Sequence, residues 1–398
     1  MSGDFPILYD TSRAKAYLDC QRKRWHGYEY PTGLSINGLE RLTMNVALST
    51  GIYEHIALDA LLNGVEVESA VETACGSYRA EVKRRGLELD IPTEGSYVVE
   101  EQAALVEGLA RAAAIVVVPK LLAQYELLET EREDQRALDA ERSVVLMART
   151  DAVLRRRSDG LLFVLNWKTA STAGDAWAEG FETDMQTVSE PYAIEPRLGE
   201  RIAGVLVIGL IKGKQMPEKD GDGNIIRWRQ STPLIYAYKK LANPPALPED
   251  TYRYDYVKNW KKSPIWEDER YTVKSWVESL PPEVLEAQFQ WVPPITRNER
   301  DVEHWRQQSI AREHDVRAKA EASRQAYPEH REQMLDELFP QNTEACQRFG
   351  KRHRCAFYGI CWDGQTGADP LGSGLYRPRT ANHPYEIEMV AAATAEHE

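Results

Sequence analysis

The sequence predicts a mixed α/β fold, with a central mixed sheet flanked by helices. Three observations carry this. Arg149–Thr169 (RTDAVLRRRSDGLLFVLNWKT) reads as two strands joined at Ser158-Asp159-Gly160, because Asp-Gly between apolar runs is a strong hairpin signal. Arg201–Ile211 (RIAGVLVIGLI) reads as a buried strand. A helical stretch near Ala176–Ile194 separates them, and strand, crossover helix and returning strand are the ingredients of a mixed sheet.

The 398 residues suffice for one large domain or two, and 42% hydrophobic with 28% charged residues is a globular composition. The amino-terminal stretch has no cationic segment leading into an apolar run, so no secretory signal is expected. The longest apolar runs, such as Ala112–Val118, are too short to span a bilayer, which predicts a cytoplasmic protein. A formal charge of −13 argues against a protein that coats nucleic acid, but leaves room for a nuclease with a locally basic groove. Basic runs occur at Arg22–Arg24, Arg155–Arg157, Lys212–Lys214, Lys258–Lys262 and Lys351–Arg354; each, taken singly, reads as solvated surface.

In chain order, Ser12 is placed to cap a first helix running through Cys20 toward Arg22-Lys23-Arg24. Asn45–Leu62 reads as a second helix with Gly64 past its end and His55 beside its apolar face. Val67, Val71, Ala74, Tyr78 and Val82 mark a third, ended by Gly86, with Cys75 as a packing residue beside the stripe. A long helical stretch is expected from about Glu100 to Leu128, broken or kinked at Pro119. The hairpin strands fall near Ser143–Leu154 and Leu161–Thr169. Glu218–Asn224 reads as a turn, followed by Ile225–Trp228 and a strand around Pro233–Tyr238.

Proline clusters at Asn243–Pro248 and Pro293-Pro294 bracket Tyr252, Tyr254, Tyr256, Trp260, Trp266, Tyr271 and Trp276. These aromatics suit packing first, and stacking on unpaired bases second. Asn298–Ala326 is a long charged helix, capped by Asn298 and followed by Pro328. Asp363–Glu398, rich in Gly, Pro, Ala and Thr, reads as a wrapped or mobile tail. The organisation expected is a helical region over 1–135, an α/β core over 136–240, an aromatic-rich and helical region over 241–340, and a cysteine cluster with tail over 341–398.

Chemistry concentrates on the hairpin. Alternation along a strand puts Asn166 and Lys168 on one face, with Leu165 and Trp167 on the other, and Asp151 on the partner strand close by. An acid, an amide and a lysine on one sheet face are costly without a partner such as a metal or phosphate. Elsewhere, Cys346, Cys355 and Cys361 stand within sixteen residues, and Cys20 lies near the other end of the chain. Clustered thiols suggest metal ligation; without a CxxC knuckle, the irregular spacing is compatible with an iron–sulfur cluster, with zinc or free thiols as the alternatives.

Asp151 followed by Asn166-Trp167-Lys168 resembles the PD-(D/E)XK nuclease core in its RecB-like form, although Asn166 stands where that family has Asp or Glu. Tyr-Leu-Asp-Cys20-Gln-Arg-Lys-Arg-Trp and the three late cysteines look like the iron–sulfur RecB-like nucleases, a group with CRISPR-associated, AddB-type and phage-encoded members. The resemblance implies a restriction-endonuclease-like sheet with a helical iron–sulfur cap joining the two ends of the chain. It implies a 4Fe-4S cluster on Cys20, Cys346, Cys355 and Cys361, leaving Cys75 out. It implies Mg²⁺ or Mn²⁺ held by His55 (from Gly51-Ile52-Tyr53-Glu54-His55), Asp151, Asn166 and the carbonyl of Trp167.

Lys168 would then position or activate the attacking water, and Gln186 with Tyr192 would match the family's Gln-aromatic motif, with Gln186 on substrate phosphate or orienting the site. A further acid is expected before the Asp151 strand, and Glu129 and Glu131 both qualify. The activity so implied is a metal-dependent deoxyribonuclease, exonuclease-like on single strands or DNA ends. It would serve phage or bacterial recombination, replication or repair, beside the proteins of those pathways. The alternatives are a DNA-binding or assembly protein of the same fold with a weakened site, because Asn166 removes one negative charge, and a structural zinc protein with no nucleic-acid role.

Overall fold

In a computed structural model, which describes residues 6–33, 37–42, 46–85, 96–172, 174–219, 221–223, 225–231, 273–326, 330–346 and 354–388, the chain opens on β1 (Ile7–Tyr9) and α1 (Thr11–Asp19). The cap of α1 is Asp10 rather than Ser12: its carboxylate accepts the Arg13 N–H at 2.8 Å, two residues earlier than expected. The helix breaks at Cys20, which is extended, before α2 (Gln21–Arg24) and a wide π-type turn, Trp25–Glu29.

After β2 (Leu39–Arg41) come α3 (Val46–Leu62), α4 (Val67–Arg85), α5 (Ser96–Ala112) and, beyond a π-type turn, α6 (Val118–Gln124) with Pro119 in its first turn. The helix expected to reach Leu128 therefore stops at Gln124. Tyr125 to Ala137 is strand β3, a correction with a tertiary cause. ELLETERED has helix-compatible composition, but it lies along the edge of the hairpin, where backbone pairing outweighs propensity. Its charged, alternating side chains suit an edge strand with one solvated face.

The hairpin forms at β4 (Val144–Arg156) and β5 (Leu162–Ala170), with Gly160 at φ +75° in the turn and Arg156 paired to Asp159 beside it. The expected crossover helix is split into α7 (Asp175–Glu179) and α8 (Gln186–Leu198), and the returning strand is β6 (Ile202–Ile211). β7 (Lys214–Lys219) and β8 (Ile225–Ser231) make a separate hairpin over the expected turn. β9 (Phe289–Ile295) adds antiparallel to β6, and the helix Glu299–Gln325 follows, capped by Asn298 as predicted.

The result is mixed α/β: one mixed open sheet, β1-β4-β5-β6-β9 with β3 on β4, flanked by helices. It draws strands from both sides of the boundaries expected at 135 and 240. Alternation sends Ala152, Leu154, Phe163, Leu165 and Trp167 into the core beneath α3, α4 and α5. Val153, Leu162 and Val164 face the core under α8 and Trp305. The chain ends meet: β10 (Tyr376–Pro378) pairs with β2, and Arg13 meets Glu386 at 2.6 Å, so the tail wraps back through residue 388.

Arg22 and Arg24 are not solvated surface. Both are buried, Arg22 on Asp336 and the Phe339 carbonyl, Arg24 on Glu29 and Glu313. No helix among the described residues is long and apolar enough to cross a membrane. Outside the described residues lie Asn45, Gly86, Asn224, Pro233–Tyr238, Asn243–Pro248, Tyr252, Tyr254, Tyr256, Lys258–Lys262, Trp266, Tyr271, Pro328, Lys351–His353 and the tail past 388.

Candidate functional site

The sheet forks at the hairpin. On one edge β4 pairs with β1 only through Val144–Leu146 and with β5 only through Ala152–Arg155. Asp151 sits where β5 parts from β4, and its Oδ2 accepts the backbone N–H of Trp167 at 2.6 Å. A backbone donor without a ladder partner needs such an acceptor. Trp167 thus gives the site its N–H, while its indole is 1% exposed in the core under α3. The opening leads into a cavity of about 590 Å³ lined by His55, Glu131, Asp151, Lys168, Gln186 and Glu190, with Lys15 and Arg149 also on its wall.

α3 brings His55 across the fork. A Cβ on Gly51 would lie 2.9 Å from Thr169 Oγ1, so the missing side chain lets α3 close against β5 one turn before His55. His55 Nδ1 stands 3.4 Å from Asp151 Oδ1. Burial alone would lower the His55 pKa, but the adjacent Asp151 carboxylate outweighs it and holds it raised. Burial pushes Asp151 up, and His55, Lys168 and the Trp167 N–H together hold it below the ordinary value. Glu131 is raised by burial and by the charge of Asp151.

Of Glu129 and Glu131, the backbone turns Glu131 toward His55 and Asp151. The β3–β4 register shifts between Leu127 and Glu129, and Glu131 takes φ +47° between the pairs Thr130–Ala152 and Arg132–Thr150. A non-glycine residue held there is strained, and surrounding structure must over-determine it. The consequence is that Glu131 joins His55 and Asp151: one ligand atom from each lies within 4.8 Å of the others. Glu129 instead pairs with Arg197, which also holds Asp134.

Of the other expected residues, Lys168 and Gln186 line the cavity. Asn166 is 1% exposed behind them, and its Nδ2 donates to Glu190 Oε2 at 2.8 Å. Tyr192 is not part of this wall. It lies under the Arg136 guanidinium, 3.6 Å from ring centroid to Cζ, packs edge-on to Trp305, and lines a different cavity with Arg297. The reason is helical geometry: six residues from Gln186 carry a side chain about 240° around the axis, whereas four return it to nearly the same face. The residue four on is Glu190, which sequence reasoning passed over; the Gln-x-x-x-Glu spacing on one helix face was the available signal.

The thiols form a second grouping. Cys20 Sγ accepts the Asn342 N–H at 3.3 Å, Cys346 Sγ donates to the Asn342 carbonyl at 3.6 Å, and the Cys355 N–H donates to the Cys346 carbonyl at 3.1 Å. Burial pushes Cys361 up to about 12; Arg22 opposes this, and the charges of Cys355, Cys346 and Cys20 add to it. Cys355 is likewise raised, by burial first and also by Cys20 and Cys346. None of the four is in a disulfide. Cys75 is elsewhere, donating to the Ala103 carbonyl at 3.4 Å in the core under α3, α4 and α5.

No protein-family model matches this chain, and a search of curated proteins finds no match.

Proposed function

We propose that the protein is a divalent-metal-dependent deoxyribonuclease of restriction-endonuclease-like fold, acting on single strands or DNA ends, with an iron–sulfur cluster on Cys20, Cys346, Cys355 and Cys361. One observation carries the catalytic part: His55, Glu131 and Asp151 converge at the sheet fork, with Lys168 on the same cavity wall. One imidazole and two carboxylates suit Mg²⁺ or Mn²⁺. A bound ion there supplies Lewis-acid polarisation and an acidified water.

The protein's own groups do the rest. The Trp167 N–H orients Asp151 through Oδ2 and leaves Oδ1 on the His55 side. Lys168 is placed to stabilise negative charge growing on a phosphoryl group in the cavity. Arg149, 3.5 Å from Glu131, and Lys15, 2.9 Å from Asp184, are the further cations on that wall, and flanking phosphates would compete with those carboxylates for them. The thiol donor set suits a cluster: Cys20 and Cys346 both contact Asn342, and the Cys355 N–H bonds the Cys346 carbonyl, which brings together thiol-bearing segments from distant parts of the chain. Recombination, replication or repair in a bacterial or phage setting is the role such an activity would serve.

The test is cleavage of labelled single- and double-stranded DNA with Mg²⁺ or Mn²⁺, beside Lys168→Ala. Cleavage that is lost in the variant supports the reading, and cleavage that persists contradicts it. The uncharged Asn166 favours a second reading, a DNA-binding protein of this fold that does not cut; salt-sensitive DNA binding without cleavage would establish that one instead.

A further inference from the structure

The cavity contains a carboxylate that neither strand of the hairpin supplies. Glu190 projects from α8, is 2% exposed, and reaches the cavity that Asp151 and Lys168 share. Two side-chain amides hold it. Asn166 Nδ2 donates to its Oε2 at 2.8 Å, and Gln186 Nε2 donates to its Oε1. Gln186 Nε2 also approaches Asn166 Oδ1 at 3.2 Å, so the two amides are tied to each other as well as to the acid. A carboxylate accepts and an amide nitrogen donates, which sets the orientation of Asn166: its NH₂ faces Glu190, and its oxygen is turned to Gln186. Asn166 is therefore spent as an orienting donor.

Resting on the nuclease reading above, we infer that Glu190 supplies the negative charge that position 166 lacks, serving as the second acid of the metal site from α8 instead of β5, with Asn166 and Gln186 as its positioning residues. Three features support this. Gln186 and Glu190 are one helical turn apart and so share the face that α8 turns to the sheet. Asn166 precedes Lys168 on the β5 face that α8 covers, so an acid on that face of α8 reaches the space an acid at 166 would occupy. Burial pushes the Glu190 carboxyl up to about 8, so its negative charge needs a cation beside it, and the cavity it opens on already gathers His55, Glu131 and Asp151. The bland account is that Glu190 only closes a hydrogen-bonded triad in the core, and the test must separate the two.

The experiment uses the full-length protein, with Mn²⁺ as the calorimetric probe and DNA cleavage as a second readout. Four proteins are compared: wild type, Glu190→Gln, Asn166→Asp with Glu190→Gln, and Asp151→Asn, each checked for fold by circular dichroism. Glu190→Gln keeps the shape and both amide neighbours, and should lose Mn²⁺ affinity by about 100-fold. Returning one carboxylate at Asn166→Asp in that background should restore most of the affinity and the cleavage, because the charge is back in the same space. The exchange also restores a donor–acceptor pair between the two positions, so a purely structural role predicts that Mn²⁺ affinity follows melting temperature across the variants, whereas a ligand role predicts that Glu190→Gln loses affinity without losing melting temperature.

Mn²⁺ binding that needs Asp151 but is unchanged in Glu190→Gln overturns this inference and leaves the nuclease reading standing. So does a double variant no better than Glu190→Gln. Absence of Mn²⁺ binding in the wild type overturns the nuclease reading itself, and this inference with it.

Discussion

The fork in the sheet and the thiol grouping both gather ligand-type side chains, yet they are assembled differently. Asp151 and Lys168 stand on neighbouring strands of one hairpin, so register brings them together. Cys20 and Cys361 lie near opposite ends of the sequence, and the segments that carry them are joined because α2 docks on the segment around Phe339–Asn342 and β10 pairs with β2. The first arrangement needs the sheet with α3 and α8 laid against it, whereas the second needs the whole chain to close. Damage at the fork should therefore alter chemistry with little loss of fold. Damage at the thiols should loosen the join between chain ends and leave the sheet intact.

The largest expected effect is at the thiols. Structural metal–thiolate sites contribute roughly 10–16 kcal/mol in small zinc domains, so Cys361→Ser should free the terminal join as a unit. Hydrogen exchange should quicken over residues 19–30 and 354–378 while β4, β5 and β6 stay protected. Uniform loss across the sheet would break the contrast. Next is Lys168→Ala, expected to slow DNA cleavage by about 10²–10³ while the melting temperature stays close to wild type. A variant that melts early would mean that the fork carries stability as well.

Gly51→Ala sharpens the comparison from the packing side. The added methyl would meet Thr169 Oγ1 at 2.9 Å, pushing α3 off β5 and moving His55. A cost of about 1–3 kcal/mol and weaker Mn²⁺ binding are expected, with both effects eased by adding Thr169→Ala. No relief in the double variant would locate the strain elsewhere.

The smallest effect concerns the clasp beside the fork, where His383 Nδ1 stands 2.8 Å from Glu133 Oε2 and His383 Nε2 lies 3.6 Å from Asp10. Burial opposes charge on Asp10, but His383 and Arg13 hold its pKa below 3.8, so its contribution exists above that pH and fades as pH falls. Burial also opposes charge on His383, but Asp10 and Glu133 hold it above 6.5, so its contribution is full below 6.5 and is lost as pH rises through the higher folded value. The clasp should thus be tightest between pH 3.8 and 6.5. Proteolysis at residues 379–388 should be slowest in that window, and His383→Gln should remove the alkaline limb. A flat profile would show that the clasp holds without these charges.

Period-two alternation made Asp151, Asn166 and Lys168 legible as one group, because a strand leaves a side chain only two faces. The hairpin turn and the Asn298 cap were legible for the same local reason. What stayed hidden depends on neighbours distant in sequence. β3 looked helical because its pairing with β4 is invisible locally, and a register shift with one left-handed residue decides between Glu129 and Glu131. Glu190 was hidden because its role depends on how α8 lies on the sheet, although its spacing from Gln186 is plain in the sequence. Arg22 and Arg24 read as surface until the partners Asp336, Glu29 and Glu313 are in view.

The central claim is that the fork binds a divalent cation, and anomalous diffraction from Mn²⁺-soaked crystals tests it most directly. A single strong peak within bonding distance of His55, Glu131 and Asp151 is expected, with Glu190 turned toward it. A well-ordered fork without a peak, or Mn²⁺ bound only elsewhere on the protein, would contradict the account.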